Sequence, residues 1–178
     1  MGDDVMARVT AAVQRGQAGE RAAARQEMEE MWAEVDQGGG DDFHRCVIAH
    51  LTADLQEDER DELMWDGRAL AAVAGVSDER AREFDESLQV RGFMPSLYLS
   101  LADDHRRLGD ANRAHEFLQE ARATSDALSD DAHGQLIRSA VDEVGRALAE
   151  GSTGPLAHHR AGTRRCVPSA TPPGSCSP

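Results

Sequence analysis

The sequence predicts an all-α fold made of antiparallel helix-turn-helix pairs, with about eight helices in all. Apolar residues recur at spacings of three and four over most of residues 1–150, as on the buried face of a helix. Glycine, aspartate or serine stands between successive apolar stripes, where helices end and begin. Aromatic residues make up only 4% of the chain, and no run has the β-branched alternation of a strand.

Four helices are predicted in the first half of the chain. The first covers about residues 4–15 and the second residues 20–35, with the break "GQAG" between them. The stretch "DQGGGDD" is expected to be a flexible connection, in which Asp41 or Asp42 caps the third helix, "FHRCVIAHLTADL". The polar turn "QEDE" leads to the fourth, "RDELMWDGRALAAVAG". Trp32 and Trp65 are expected to be core anchors of these helices rather than a ligand cage.

Four further helices are predicted in the second half. Ser77 is placed to cap a charged fifth helix over about residues 78–89. Pro95 suits the first turn of the sixth helix, because its missing N–H is not needed there. The seventh helix follows Asp110, and the eighth begins near Ser129.

Charge and composition divide the chain at residue 150. The net charge is −14, and all 19 basic residues are Arg. Residues 1–150 hold 16 of these Arg and all 33 acidic residues, so they carry a charge of −17. Residues 151–178 are rich in Pro, Gly, Ser and Thr and have no helical period, which predicts a disordered tail. A frameshifted or otherwise non-native end stays open as an alternative for this tail.

The most regular pattern lies in residues 96–121, "SLYLSLADDHRRLGDANRAHEFLQEA". One apolar stripe precedes the turn Leu108-Gly109-Asp110, in which Gly supplies a left-handed backbone and Asp a helix cap. A second stripe follows it, with small residues that allow two helices to pack closely. The predicted packing positions are Tyr98, Leu101, Ala102, Gly109, Ala114, Leu118 and Ala121.

These positions resemble the tetratricopeptide repeat, a helix-turn-helix unit of 34 residues. His105 stands where the repeat usually has Tyr, and the late Pro is replaced by Asp126. The other helix pairs match less well and their spacing is irregular. With its "WDGRALA" and "PSLYLSLAD" segments, the chain is similar to tetratricopeptide-like proteins of high-GC bacteria over about residues 5–148. A generic helical bundle with accidental spacing is the alternative.

The resemblance implies a short right-handed superhelix in which the first helix of each pair lines a concave surface. A partner peptide or helix is expected to bind there, to side chains exposed on helices three and six. The Asn and Lys with which some family members hold a terminal carboxylate are missing, so that mode of binding is not expected. The candidate partner-binding residues are Phe43, His50, Asp54, Ser96, Leu99, Asp103 and Arg106.

The function expected from these patterns is that of a cytoplasmic protein-interaction module, a scaffold or regulator whose partner is basic. An acidic body repels phosphate backbones, and no apolar run is long enough to cross a membrane. No catalytic residue, metal site or cofactor is predicted. Two alternatives stay open. One is a small-ligand or catalytic helical domain with a pocket near His50 and Asp103, which predicts that one of them is buried beside another ionisable group. The other is a structural homodimer.

Overall fold

The computed structural model describes residues 2–84 and 89–156, and every regular element within them is helical. This confirms the all-α prediction for the part of the chain that is described. Short helical turns also occur at Val35–Gly39, Val90–Gly92 and Ser125–Ala127. The eight α-helices are α1 Gly2–Gln17, α2 Arg21–Glu34, α3 Asp42–Ala53, α4 Glu59–Val73, α5 Asp78–Phe84, α6 Met94–Arg107, α7 Ala111–Thr124 and α8 Ala132–Ala149.

The longer helices pack as three successive pairs and a final helix. Helices that follow one another across a short turn form the pairs α1–α2, α3–α4 and α6–α7. Contacts of α2 with α3 and of α4 with α6 join the pairs in chain order, and α8 covers both helices of the third pair. Because each pair contacts its neighbours in the chain, the apolar core is spread along the molecule instead of lying at one centre.

Three apolar clusters make up this core. The first joins α1, α2 and α3, the second α3, α4 and α6, and the third α6, α7 and α8. Many of the most buried positions are Ala, which lets helix backbones approach closely and explains the tight pairing. The fully buried alanines are Ala12, Ala24, Ala49, Ala53, Ala69, Ala81, Ala102, Ala114 and Ala121.

Polar caps set the starts of several helices. The Asp41 side chain accepts a hydrogen bond from the His44 N–H at 3.0 Å, and the His44 ring accepts one from the Asp41 N–H. Ser77 Oγ accepts from the N–H of Arg80 at 3.1 Å, as its position predicts. The eighth helix begins at Ala132, three residues later than predicted, because Asp131 is the residue that caps it.

Two connections differ from the sequence prediction. The stretch after α2 is a wide helical turn, Val35–Gly39, which ends through the left-handed backbone of Gly38 (φ 100°) rather than as a plain flexible loop. The fifth helix covers Asp78–Phe84, and residues 85–88, which the prediction included, lie outside the described residues.

The beginning of the predicted tail belongs to the folded part. The Ser152 and Gly154 carbonyls accept hydrogen bonds from α6, and Leu156 packs against the third apolar cluster. The tail beyond residue 156 lies outside the described residues. Whether the far end of the chain is disordered or non-native stays a prediction.

Candidate functional site

The residues expected to line an exposed partner-binding surface are mostly buried. Asp54 is the one member of the set that is half-buried, and the other six are between 1% and 6% exposed. The expectation of exposure is therefore wrong for these six, whatever they bind. The buried six are Phe43, His50, Ser96, Leu99, Asp103 and Arg106.

Some of these side chains serve the core or the helix ends. Phe43 packs in the first apolar cluster, with the guanidinium of Arg80 4.7 Å from its ring centre. Leu99 packs in the third cluster, beneath α8. The Ser96 hydroxyl donates to the Phe93 carbonyl at 3.0 Å. Asp54 contributes its backbone carbonyl, which accepts from Arg21 at 2.7 Å.

His50, Asp103 and Arg106 belong to a buried group of ionisable side chains that we call the charged cluster. It joins α3, α4 and α6 through hydrogen bonds and ion pairs. Its members are His50, Glu62, Asp66, Asp103, Asp104, Arg106 and Arg107. At one end, His50 Nδ1 lies 2.9 Å from Asp66 Oδ1, and both side chains are almost fully buried.

Arg107 is the centre of the charged cluster. Its Nη2 atom donates to Glu62 Oε2 at 2.5 Å and to Asp104 Oδ1 at 2.7 Å, and its Nε lies 3.5 Å from Asp103 Oδ2. Burial alone lowers the pKa of Arg107, but the Glu62 carboxylate, together with Asp104 and Asp103, outweighs this and raises it. The guanidinium therefore stays charged and links α4 to α6.

Carboxylates outnumber guanidinium groups in the charged cluster, four to two. Glu62, Asp66 and Asp104 each place one carboxylate oxygen within 4.8 Å of the other two, a spacing at which oxygen ligands can share a divalent cation. Arg107 already lies against two of these three carboxylates. The chain thus supplies a cation of its own to this triad.

Arg106 forms the other end of the charged cluster and binds the chain segment that follows α8. Its Nε donates to Asp103 Oδ1 at 2.6 Å. Its Nη1 and Nη2 atoms donate to the backbone carbonyls of Ser152 at 2.5 Å and Gly154 at 2.9 Å. We call residues 152–156 the strap. One guanidinium thus binds a carboxylate on its own helix and two carbonyls of a non-helical segment.

Sequence reasoning missed the α4 members of the charged cluster, although a signal was present. Glu62 and Asp66 precede the buried Ala69 and Val73 at spacings of three and four, in register with the buried face of α4. Acidic residues on an apolar stripe indicate buried charges that need partners. On α6, Asp103 and Asp104 stand three or four residues before the Arg pair that neutralises them.

Several of the predicted repeat-packing residues lie together between α6 and α7. Ala102, Ala114, Leu118 and Ala121 are buried in the third cluster, with the Tyr98 ring partly buried against it. Leu101 is also buried, and Gly109 turns the chain with φ 81°. The His105 ring stacks on Phe117, with 5.5 Å between the centroids, so it packs as the expected Tyr would.

The two tryptophans lie together between α2 and α4. Their ring centroids are 5.3 Å apart in an edge-to-face arrangement, and the Arg68 guanidinium lies 4.3 Å from the Trp65 ring and 5.4 Å from the Trp32 ring. The prediction that these rings are core anchors fits the burial of Trp65. In an aromatic cage formed by the two tryptophans, a cationic ligand would lie against the rings, and Arg68 fills that position.

Among the residues described, no helix is both long and apolar enough to cross a bilayer. Comparison with known proteins found no family model, no curated protein and no solved structure that is significantly similar.

Proposed function

We propose that the chain is a tetratricopeptide-like interaction module of the cytoplasm that binds a peptide segment of a partner protein on α6. The observation that carries this proposal is the pair of hydrogen bonds from Arg106 to the Ser152 and Gly154 carbonyls. A guanidinium held in place by Asp103 binds a peptide backbone there, without reading its side chains. The same donors suit the backbone of a partner.

The arrangement of helices supports the repeat part of this proposal. Three helix pairs follow one another, and each packs on the next in chain order, with α8 covering the last. Stacked pairs with nearest-neighbour contacts are typical of helical repeat proteins, whose common work is protein binding.

The charge of the chain indicates the kind of partner. Residues 1–150 carry −17, so a basic segment is drawn toward them, and a nucleic acid is repelled. Because Arg106 contacts the bound segment only through backbone carbonyls, the attraction of the acidic chain acts on basic residues beside that segment.

A small-ligand or catalytic domain is the second candidate, and the buried pair of His50 and Asp66 favours it. The hypothesis of a ligand pocket predicts that His50 or Asp103 is buried beside another ionisable group. Both residues are at most 2% exposed, so a ligand would have to part α3 from α4 to reach them. This requirement ranks the second candidate below peptide binding.

A homodimer through an apolar face has weaker support. The large apolar side chains that are exposed among the described residues are Met64, Leu108 and Leu136, which lie on α4, after α6 and on α8. They stand on three different elements, whereas a dimer interface needs one contiguous apolar patch.

The proposal is tested with an array of seven-residue synthetic peptides, with and without flanking Arg, probed with the purified full chain. We expect selection of peptides with basic flanks, and its loss in Arg106→Lys, because Lys cannot donate two parallel bonds while paired with Asp103. Arg146→Lys, at an exposed position of α8, is the matched control. The proposal is contradicted if neither the full chain nor Leu156→Asp, which loosens the strap, selects any peptide, or if Arg106→Lys selects peptides as the unaltered chain does.

A further inference from the structure

We infer that the strap, residues 152–156, occupies the partner-peptide site on α6 and must leave it before a partner binds. This inference rests on the proposed function and adds its regulation. It bears on the burial of Arg106, which the sequence predicts on a binding face, because carbonyls of the strap cover its two terminal nitrogens.

The end of α8 directs the strap onto α6. Gly151 adopts a left-handed backbone (φ 65°) just after the helix. Its N–H donates to the Leu148 carbonyl at 3.1 Å, and the Ser152 N–H donates to the Ala147 carbonyl at 2.9 Å. These two bonds form the Schellman ending, which reverses the chain after a helix. The reversal brings the next carbonyls to Arg106, 46 and 48 residues away in sequence.

Within the described part of the chain, few contacts hold the strap. Two carbonyls accept from Arg106, and the Leu156 side chain packs partly buried against the third apolar cluster. Thr153, Gly154 and Pro155 are exposed. A short segment with so few buried groups opens at low cost, well before the helices beneath it unfold.

The site beneath the strap keeps its geometry when the strap leaves. Asp103 holds the Nε atom of Arg106 at 2.6 Å, and Arg107 in turn lies beside Asp103. The two terminal nitrogens of Arg106 would then face outward with their donors preorganised, which lowers the entropic cost of binding a new segment.

The contacts of the strap define the partner segment that can replace it. Such a segment presents two backbone carbonyls two residues apart, and an apolar side chain two residues beyond the second, as Ser152, Gly154 and Leu156 do. The partner is therefore a non-helical peptide with one apolar anchor. Because the strap belongs to the same chain, its effective concentration at the site is in the millimolar range. A free peptide of equal affinity therefore competes with the strap only at a similar concentration.

The test uses a fluorescein-labelled peptide with the sequence of residues 150–156, EGSTGPL, titrated by anisotropy against full-length variants. Leu156→Asp loosens the strap, and Leu136→Asp is the matched control on the exposed side of α8. We expect Leu156→Asp to bind the peptide about tenfold or more tightly than the unaltered chain or the control. Adding Arg106→Lys to Leu156→Asp should abolish this gain.

Each outcome decides a different point. Equal binding by the unaltered chain and Leu156→Asp, still lost in Arg106→Lys, overturns the strap inference and leaves the proposed function standing. No binding of this peptide to either protein, when array peptides do bind, overturns the inference too. No binding of any peptide, to the unaltered chain or to Leu156→Asp, overturns both proposals.

A second measurement does not depend on any variant. In the unaltered chain at saturating peptide, hydrogen exchange of the Ser152 amide should become faster, because its bond to the Ala147 carbonyl is weakened when the peptide displaces the strap. Unchanged exchange of this amide at saturation overturns the inference, even if Leu156→Asp or a milder Leu156→Ser fails to fold.

Discussion

The Nδ1 atom of His50 on α3 lies 2.9 Å from Oδ1 of Asp66 on α4, with both side chains buried. The pair joins the two helices of the second pair at one end of the charged cluster. A buried ionisable group is tolerated when its partner is present and becomes costly when the partner is removed. The stability of this helix pair therefore depends on both residues together.

Removing one member of this pair should destabilise the fold strongly. We expect Asp66→Leu to lower the free energy of unfolding by about 3–5 kcal/mol, because it removes the carboxylate that pairs with the buried His50 ring. Urea denaturation, followed by the fluorescence of Trp32 and Trp65, measures the change. Asp142→Leu, at an exposed position of α8, is the control and should stay within about 0.5 kcal/mol of the unaltered chain.

A double variant distinguishes the interaction between His50 and Asp66 from the effect of changing the volume of each side chain. His50→Leu combined with Asp66→Leu should be more stable than the sum of the single changes predicts, by about 1–3 kcal/mol. Strictly additive losses would mean that the two side chains contribute to stability independently of each other.

The position of Arg68 between the tryptophans leads to a spectroscopic prediction. Arg68→Gln should shift the tryptophan emission of the folded chain and cost about 0.5–2 kcal/mol, because it removes a cation from the faces of two rings. Arg146→Gln, exposed on α8, should change neither quantity. An unchanged emission spectrum in Arg68→Gln would show that the guanidinium does not perturb the rings.

Local signals were enough to predict the α6–α7 hairpin. Gly109 adopts the left-handed turn, and the Asp110 side chain accepts from the Arg113 N–H at 3.1 Å. The apolar stripes on both sides have the period of a helix. Each of these features is decided by residues within one or two turns of chain, and such features can be identified without the structure.

Burial of the predicted surface could not be predicted in the same way. The spacing of Asp103 and Arg106, i and i+3, is typical of an exposed ion pair on a helix. The segment that binds the Arg106 guanidinium lies nearly 50 residues further along the chain. Likewise, the contact of Glu62 with Arg107 crosses 45 residues. A single sequence gives the face of a helix on which a charge lies, but it does not reveal which distant segment will pack there.

Replacing two helical glycines by alanine should change the stability of the chain in opposite directions. Gly67 in α4 has open space where a Cβ would stand, so Gly67→Ala should stabilise the chain by about 0.5–1 kcal/mol through its higher helix propensity. At Gly134, in the first turn of α8, a Cβ would collide with the backbone carbonyl of Ser129, so Gly134→Ala should destabilise it. Thermal unfolding by circular dichroism measures both, and equal shifts of the two midpoints would contradict the packing around Gly134.

The histidine stacked on Phe117 should make stability depend on pH. Burial lowers the pKa of His105, although Asp110 acts to raise it, so the folded chain binds this proton less readily than the unfolded chain. The free energy of unfolding should therefore be highest above pH ~6.5 and fall as the pH drops below it. Burial likewise lowers the pKa of His133, which adds to the same trend.

His105→Phe isolates this contribution, since it keeps a ring against Phe117 and removes the proton site. Urea denaturation at pH 7.5, 6.5 and 5.5 should give a stability advantage of the variant that grows as the pH falls, because the variant no longer has to release a proton on folding. His115→Phe, at an exposed position of α7, is the matched control and should follow the unaltered chain more closely. Parallel curves for His105→Phe and the unaltered chain would show that the folded and unfolded states bind the His105 proton equally well.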